Sequence, residues 1–229
     1  MGRHTLIGNP PIEVSLRRSV RAKRLSLRVS RLDGRVTLTL PRRAPEREGI
    51  RFLQSKEAWL RTHLEGLAPV RPVAIGQDIL LRGNPVPIVQ GQGRRLVITD
   101  QHIAVPGPQD VGRKIKAQLR HLARDALAEA SDRYAASLGR SYTRLSIRDT
   151  RSRWGSCSSQ GVLMYSWRLI MAPPAVLDYV AAHEVAHLVQ MNHSAAFWDV
   201  VASICPDYEA HRHWLRAHGD TLHRVAFDN

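Results

Sequence analysis

The sequence predicts an α+β protein. A basic, β-rich N-terminal region with one helix occupies residues 1–107, and a mostly helical region occupies residues 108–229. Three observations predict this. Residues 23–40 alternate apolar and polar with period two. Residues 111–134 place apolar side chains at three- and four-residue steps. Residues 173–190 form an apolar run opened by two prolines. Side chains alternate across a strand and recur every three to four residues on a helix, so the two periods separate the two classes of element.

The elements follow in order. In "KRLSLRVSRLDGRVTLTL" (23–40), Leu25, Leu27 and Val29 face one way and Ser26, Arg28 and Ser30 the other; Asp33-Gly34 turns the chain into Val36, Leu38 and Leu40, a hairpin. Residues 44–67 read as a single helix with Pro45 in its first turn, Gly66 near its end, and Phe52, Ala58, Trp59, Leu60 and Leu64 as its core face. Four short runs, "DILLRG", "PVPIVQ", "RRLVIT" and "HIAVPG", read as a small sheet over 68–108, and "VPGPQD" (105–110) as the boundary. Val111, Ile115, Leu119, Leu122, Ala126, Ala130 and Tyr134 then form one face of a helix that Gly139 ends. Its opposite face carries Arg113, Lys114, Lys116, Arg120 and Arg124. Strands over 144–149 and 161–167 flank "TRSRWGSCSSQ", a helix covers 173–190, and helices over 195–204 and 208–218 close the chain.

Composition narrows the classes. With 43% hydrophobic and 24% charged residues the chain is globular rather than disordered. Its net charge is +14, and residues 1–72 hold 16 cations against 6 acids, so the excess is concentrated at the N-terminal end. That balance suits a nucleic acid, an anionic surface or acidic proteins, and equally a solvated basic face; "RRSVRAKR" (17–24) makes nucleic acid the partner to test. Cys157 and Cys205 form no CxxC, so no disulfide framework is expected. With no secretory run and no apolar stretch of membrane-spanning length, a soluble cytoplasmic protein without a membrane partner is expected.

The chemistry concentrates in "HEVAHLVQMNH" (183–193). His183 and His187 are four apart on the predicted helix, so their imidazoles share a face and can meet one cation. Glu184 projects about a quarter-turn away, suited to act as general base on water beside the metal. Catalytic zinc takes three protein ligands and leaves one position open, and His193 becomes the third if the chain turns, for which Asn192 could adopt a left-handed conformation. The helix is apolar nearly all round. Two idle histidines and an idle glutamate buried there would cost free energy, which favours a Zn²⁺ site. The spacing also fits a metzincin run, but Gln190 stands where that run has Gly, and no Met follows Met191.

Secondary signals are weaker. Gly155 after Trp154 could let the backbone approach the cleft, Cys157 reads as structural, and the strand at 161–167 is the candidate edge for a peptide. Arg153, Tyr208, His211, Arg212 and His213 are candidate oxyanion donors, and Asp178, Asp199 and Glu209 candidate partners for the imidazoles.

Residues 151–215 resemble the YgjP-like metallopeptidase family. The resemblance rests on Trp154, Gly155, Ser156 and Cys157; on His183, Glu184 and His187; and on His193, Ser194, Phe197 and Trp198. It implies a zincin-like fold with three histidine ligands and a catalytic glutamate, related to SprT-like proteases. Ser166 stands where the family commonly has Asn. The expected function is a zinc metallopeptidase acting on a peptide or protein. Its rivals are a nucleic-acid-binding protein with a structural or vestigial zinc site, and a hydrolase of a non-peptide amide. A long groove beside an edge strand would favour peptide, and a closed pocket a small molecule.

Overall fold

The structure, a computed structural model, describes residues 2–30, 34–66 and 71–227. It divides into two compact units, residues 1–70 and 71–229. The break lies before the small sheet, not at the expected 107/108 boundary. The reason is packing: Val73, Ile79, Leu81, Val86, Ile88, Ile103 and Val105 share one apolar core with Ile115, Leu119 and Leu127 of the long helix.

In the first unit, β1 (Gly2–Leu6), β2 (Ile12–Ser19), β3 (Ser26–Val29) and β4 (Val36–Pro41) form a sheet in the order β1-β2-β4-β3. β3 and β4 pair antiparallel as expected, although Asp33 of the expected turn lies outside the described residues. β2 lies parallel to β4, and their alternation buries Ile12, Val14 and Leu16 beside Val36, Leu38 and Leu40. Two helices, α1 (Glu46–Ser55) and α2 (Glu57–Glu65), close this core through Leu53 and Leu60. A single helix over 44–67 was expected. The ladder breaks at Lys56, where the Ser55 hydroxyl donates to the Phe52 carbonyl at 2.8 Å and the Lys56 amide bonds only three residues back, to Leu53. Trp59, expected in the core, is 42% exposed and lies against His63.

The second unit opens with β5 (Arg71–Pro72), which pairs with β13 (Val225–Ala226). The four expected runs become β6 (Asp78–Leu81), β7 (Asn84–Gly91), β8 (Val97–Ile98) and β9 (Ile103–Pro106), in the order β6-β7-β9-β8. α3 (Val111–Ser137) follows and is terminated as expected at Gly139, whose φ of 60° lies in the left-handed region. A second sheet holds β10 (Arg144–Arg148), β11 (Gly155–Cys157) and β12 (Val162–Ser166), with β12 in the centre and β10 and β11 at the margins. A 3₁₀ turn (Trp167–Met171) leads into α4 (Pro174–Ala186); α5 (Ala195–Ile204) and α6 (Tyr208–His223) complete the unit. Arg168 ties these parts together. Its guanidinium donates to Asp149 at 2.8 Å and to the carbonyls of Leu222 and Val225 at 2.8 and 3.2 Å. Among the described residues no helix is long and apolar enough to cross a membrane.

Candidate metal centre and active site

α4 begins after Pro173, with Pro174 in its first turn, and buries Val176, Val180, Ala181, Ala182, Val185 and Ala186. His183 and Glu184 are its polar members near the C-terminal end, and His187 follows at its C-cap. The α-helix stops at Ala186, and the amides of Leu188, Val189 and Gln190 turn back onto the carbonyls of Val185 and Ala186. The chain then reverses. The Asn192 side-chain oxygen accepts from the Ser194 amide at 3.1 Å, so Asn192 acts through its side chain and not through a left-handed backbone, as its φ is not positive. The reversal returns His193 to the face of His183 and His187.

The three imidazoles converge. Nε2 of His183 and Nε2 of His193 are 3.1 Å apart, and one ring nitrogen from each of the three lies within 4.8 Å of the others. Two nitrogens on one tetrahedral zinc are about 3.3 Å apart, given zinc–nitrogen bonds of about 2.0–2.1 Å. The His187 Nδ1 donates to the Gln190 carbonyl at 2.9 Å, which leaves its Nε2 lone pair for a ligand role. Burial and the two neighbouring imidazoles hold His183 down to about 3, and burial lowers His187 as well. Both rings therefore keep free lone pairs at neutral pH. The donor set fits a divalent ion in the form that binds one. Nδ1 of His183 is buried without a hydrogen-bond partner.

Aromatic side chains set the rings. Phe197, fully buried, stacks on His187 with centroids 4.5 Å apart and meets His183 and His193 edge-on at 4.9 and 4.8 Å. Trp198 lies 5.6 Å from His183 and is itself covered by Tyr208 and by the Arg212 guanidinium, 4.4 Å above its ring. Both aromatics come from the first turn of α5, which the Asn192 reversal positions.

Glu184 is 6% exposed. Burial pushes its carboxyl up to about 8, against smaller lowering effects from the Arg153 charge and a hydrogen bond from the Cys157 amide. That amide belongs to β11, which lies over the carboxylate. A methyl group at residue 155 would fall 2.5 Å from Glu184 Oε1, so only glycine allows this approach. Gly155, Ser156 and Cys157 line one wall of an open cleft of about 230 Å³; His183, Glu184, His187, His193 and Met191 complete it.

The expected peptide-binding edge was the strand at 161–167. That strand, β12, is paired on both sides and has no free edge; the marginal strand beside the cleft is β11. Cys157 lies outside the histidine group, and burial followed by the nearby Glu184 raises its thiol to about 11, an unreactive state. Of the candidate partners for the imidazoles, Asp178 pairs with Arg133 at 2.6 Å and Glu209 accepts from Tyr208; neither they nor Asp199 hydrogen-bonds an imidazole. Of the candidate oxyanion donors, Arg153 acts on Glu184 electrostatically, while Tyr208 and Arg212 are engaged with Trp198. The Gln190 carbonyl escaped sequence reasoning because a backbone acceptor carries no residue-type signal.

No curated protein matches the chain. A crystal structure of the metallopeptidase zymogen of Pyrococcus abyssi abylysin is similar over 39% of this chain and 93% of its own, at 19% identity and a TM-score of 0.34. The model of the YgjP-like metallopeptidase domain matches residues 23–218, a span that takes in β3 through most of α6, so the chain belongs to the YgjP-like metallopeptidase family.

Proposed function

We propose that the protein is a zinc-dependent metallopeptidase in which His183, His187 and His193 hold the metal and Glu184 is the general base. The observation that carries this reading is the convergence of three imidazole nitrogens within 4.8 Å, in one cleft with a buried carboxylate that forms no ion pair among the described residues. A divalent ion held there would act as a Lewis acid, polarising the scissile carbonyl and acidifying a water molecule. Glu184 takes the proton of the attacking water on its carboxylate oxygen and returns it to the leaving amine nitrogen. An extended peptide lies along the outer edge of β11, with backbone-to-backbone hydrogen bonds placing the scissile bond at the imidazoles. An open cleft beside a strand edge suits a peptide better than a small amide, which a closed pocket would enclose.

The test combines metal analysis with hydrolysis of an unfolded protein such as denatured casein. Wild-type protein should carry about one equivalent of zinc. Glu184→Gln should keep that metal and lose hydrolysis by a factor on the order of 10² to 10⁴. His193→Ala should lose the metal. Full activity in Glu184→Gln, or unchanged metal in His193→Ala, would remove that residue from its role.

We also propose a nucleic acid as partner of the first unit, where Arg17, Arg18, Arg21, Lys23, Arg24 and Arg28 are all exposed. Binding of DNA or RNA at low salt that weakens several-fold by physiological salt is expected. Absence of binding at low salt would leave the charge as solvated surface.

A further inference from the structure

The sheet that carries β11 at one margin carries β10 at the other, and β10 borders a second and larger groove. This groove, about 660 Å³, runs along α3. Arg113, Lys116, Arg120 and Arg124 line it, at steps of three, four and four residues and therefore on one face of the helix. Leu145 and Ile147 of β10 supply apolar wall, and no acidic residue lines the groove among the described residues. Of the four cations, Arg113 is paired with Asp110 at 2.7 Å, and Lys116 is engaged as well, acting on the charge of Asp149.

The helix and the strand run antiparallel. The Tyr142 hydroxyl donates to Asp132 at 2.5 Å, while at the far end Lys116 lies close enough to Asp149 to act on its charge. From 132 back to 116 is about 24 Å of helix, and from 142 to 149 about 23 Å of extended chain, so the two keep step. The cation row from Arg113 to Arg124 spans about 16 Å. The five residues of β10 span about 13 Å, somewhat less than the row. β10 is hydrogen-bonded to β12 on one side and to no strand on the other among the described residues.

We propose that this groove binds an acidic polypeptide segment in extended form, paired to the outer edge of β10 with alternate carboxylates directed at the cations of α3. Side chains on one face of a strand recur at about 6.6–6.8 Å, and successive cations of the row at about 4.5–6 Å along the helix axis. A strand of five residues thus presents about three carboxylates to four cations, with the apolar wall covered by the intervening chain. A nucleic acid is less well suited, because no Phe, Tyr or Trp lines the groove for bases to stack on and His121 is its one ring among the described residues. The proposal concerns binding and does not depend on hydrolysis at the cleft.

The experiment is equilibrium anisotropy with the full chain and fluorescein-labelled Glu-Val-Glu-Val-Glu-Val, its intactness verified by mass spectrometry after each titration. Saturable binding is expected. Charge reversal in Arg120→Glu/Arg124→Glu should weaken it about tenfold or more, as should raising the salt to about 300 mM. Arg120→Lys/Arg124→Lys should bind within a few-fold of wild type. The same peptide N-methylated at alternate residues should also lose about tenfold, because it cannot complete the strand ladder. This arm needs no folded variant. Binding that is undiminished by charge reversal, or by N-methylation, overturns the proposal. So does tighter binding of a short oligodeoxythymidylate that the same charge reversal abolishes, which would make the groove a nucleic-acid surface.

Discussion

Asp149 and Glu184 stand by opposite margins of one three-stranded sheet, yet their acidities move in opposite directions. Burial pushes both upward. At Asp149, beside β10, Arg168 donates at 2.8 and 3.4 Å and reverses the effect, holding the carboxyl below its ordinary value. At Glu184, beneath β11, burial is deeper and the help is a backbone amide and the more distant charge of Arg153, so the carboxyl stays raised at about 8. A carboxylate gripped by a guanidinium is a fastener whose charge is settled. One buried without such a partner keeps a raised carboxyl, which is compatible with the general-base role proposed for Glu184.

Removing the guanidinium should have the largest effect. Arg168→Met strips Asp149 of its partner and leaves the carbonyls of Leu222 and Val225 without that donor. A loss of about 3 kcal/mol is expected, the usual result of breaking a largely buried pair, discounted for the part-exposure of Asp149. Calorimetry should show the melting temperature of the second unit lowered by roughly 6–12 °C. Glu184→Gln should melt within about 2 °C of wild type or above it, since it removes a carboxylate that has no paired cation. Equal losses in the two variants would break the comparison.

A smaller effect sharpens the Glu184 side. Gly155→Ala places a methyl group 2.5 Å from Oε1, and the carboxylate or β11 must shift. Displacing a positioned base by even a fraction of an ångström should lower hydrolysis by about tenfold or more with metal content unchanged. Wild-type turnover in this variant would show that β11 does not fix the carboxylate.

The smallest effect is in acid. The Asp149 carboxyl is lowered in the folded protein, so its contribution is present above the unfolded value near 3.9 and is lost as pH falls through the folded value. The stability difference between wild type and Asp149→Asn, from urea midpoints, should hold constant from pH 7 to about 5 and shrink toward pH 3. A difference that grows on acidification would contradict a lowered Asp149.

Much of this was legible in the sequence, and what escaped did so for physical reasons. The four-residue spacing of His183 and His187, the titratable groups isolated in an apolar helix, and the reach of His193 were visible because a helix converts spacing into direction. β2 escaped although Ile12, Val14 and Leu16 alternate plainly. Its partner β4 lies parallel and beyond the hairpin, so no adjacent turn announces the pairing. β11 has three residues, too few for any period. Sheet order is absent from periodicity altogether, which is why β12 was expected at the margin where β11 stands. The break at Lys56 turned on a hydroxyl competing for one carbonyl, and Trp59 fell on the outward side of the second helix as a result.

The marginal position of β11 carries a kinetic consequence. Its outer backbone groups can be met only by a chain whose own are vacant, and in a folded domain strands and helices have already matched theirs. A folded substrate would present such a stretch only during local opening, and opening free energies range from near zero at frayed ends to the whole stability of the domain. Turnover by a site of this design would then be paced by the substrate's opening equilibrium. Two proteins with the same cleavage sequence would be cut at rates set by how tightly each holds it.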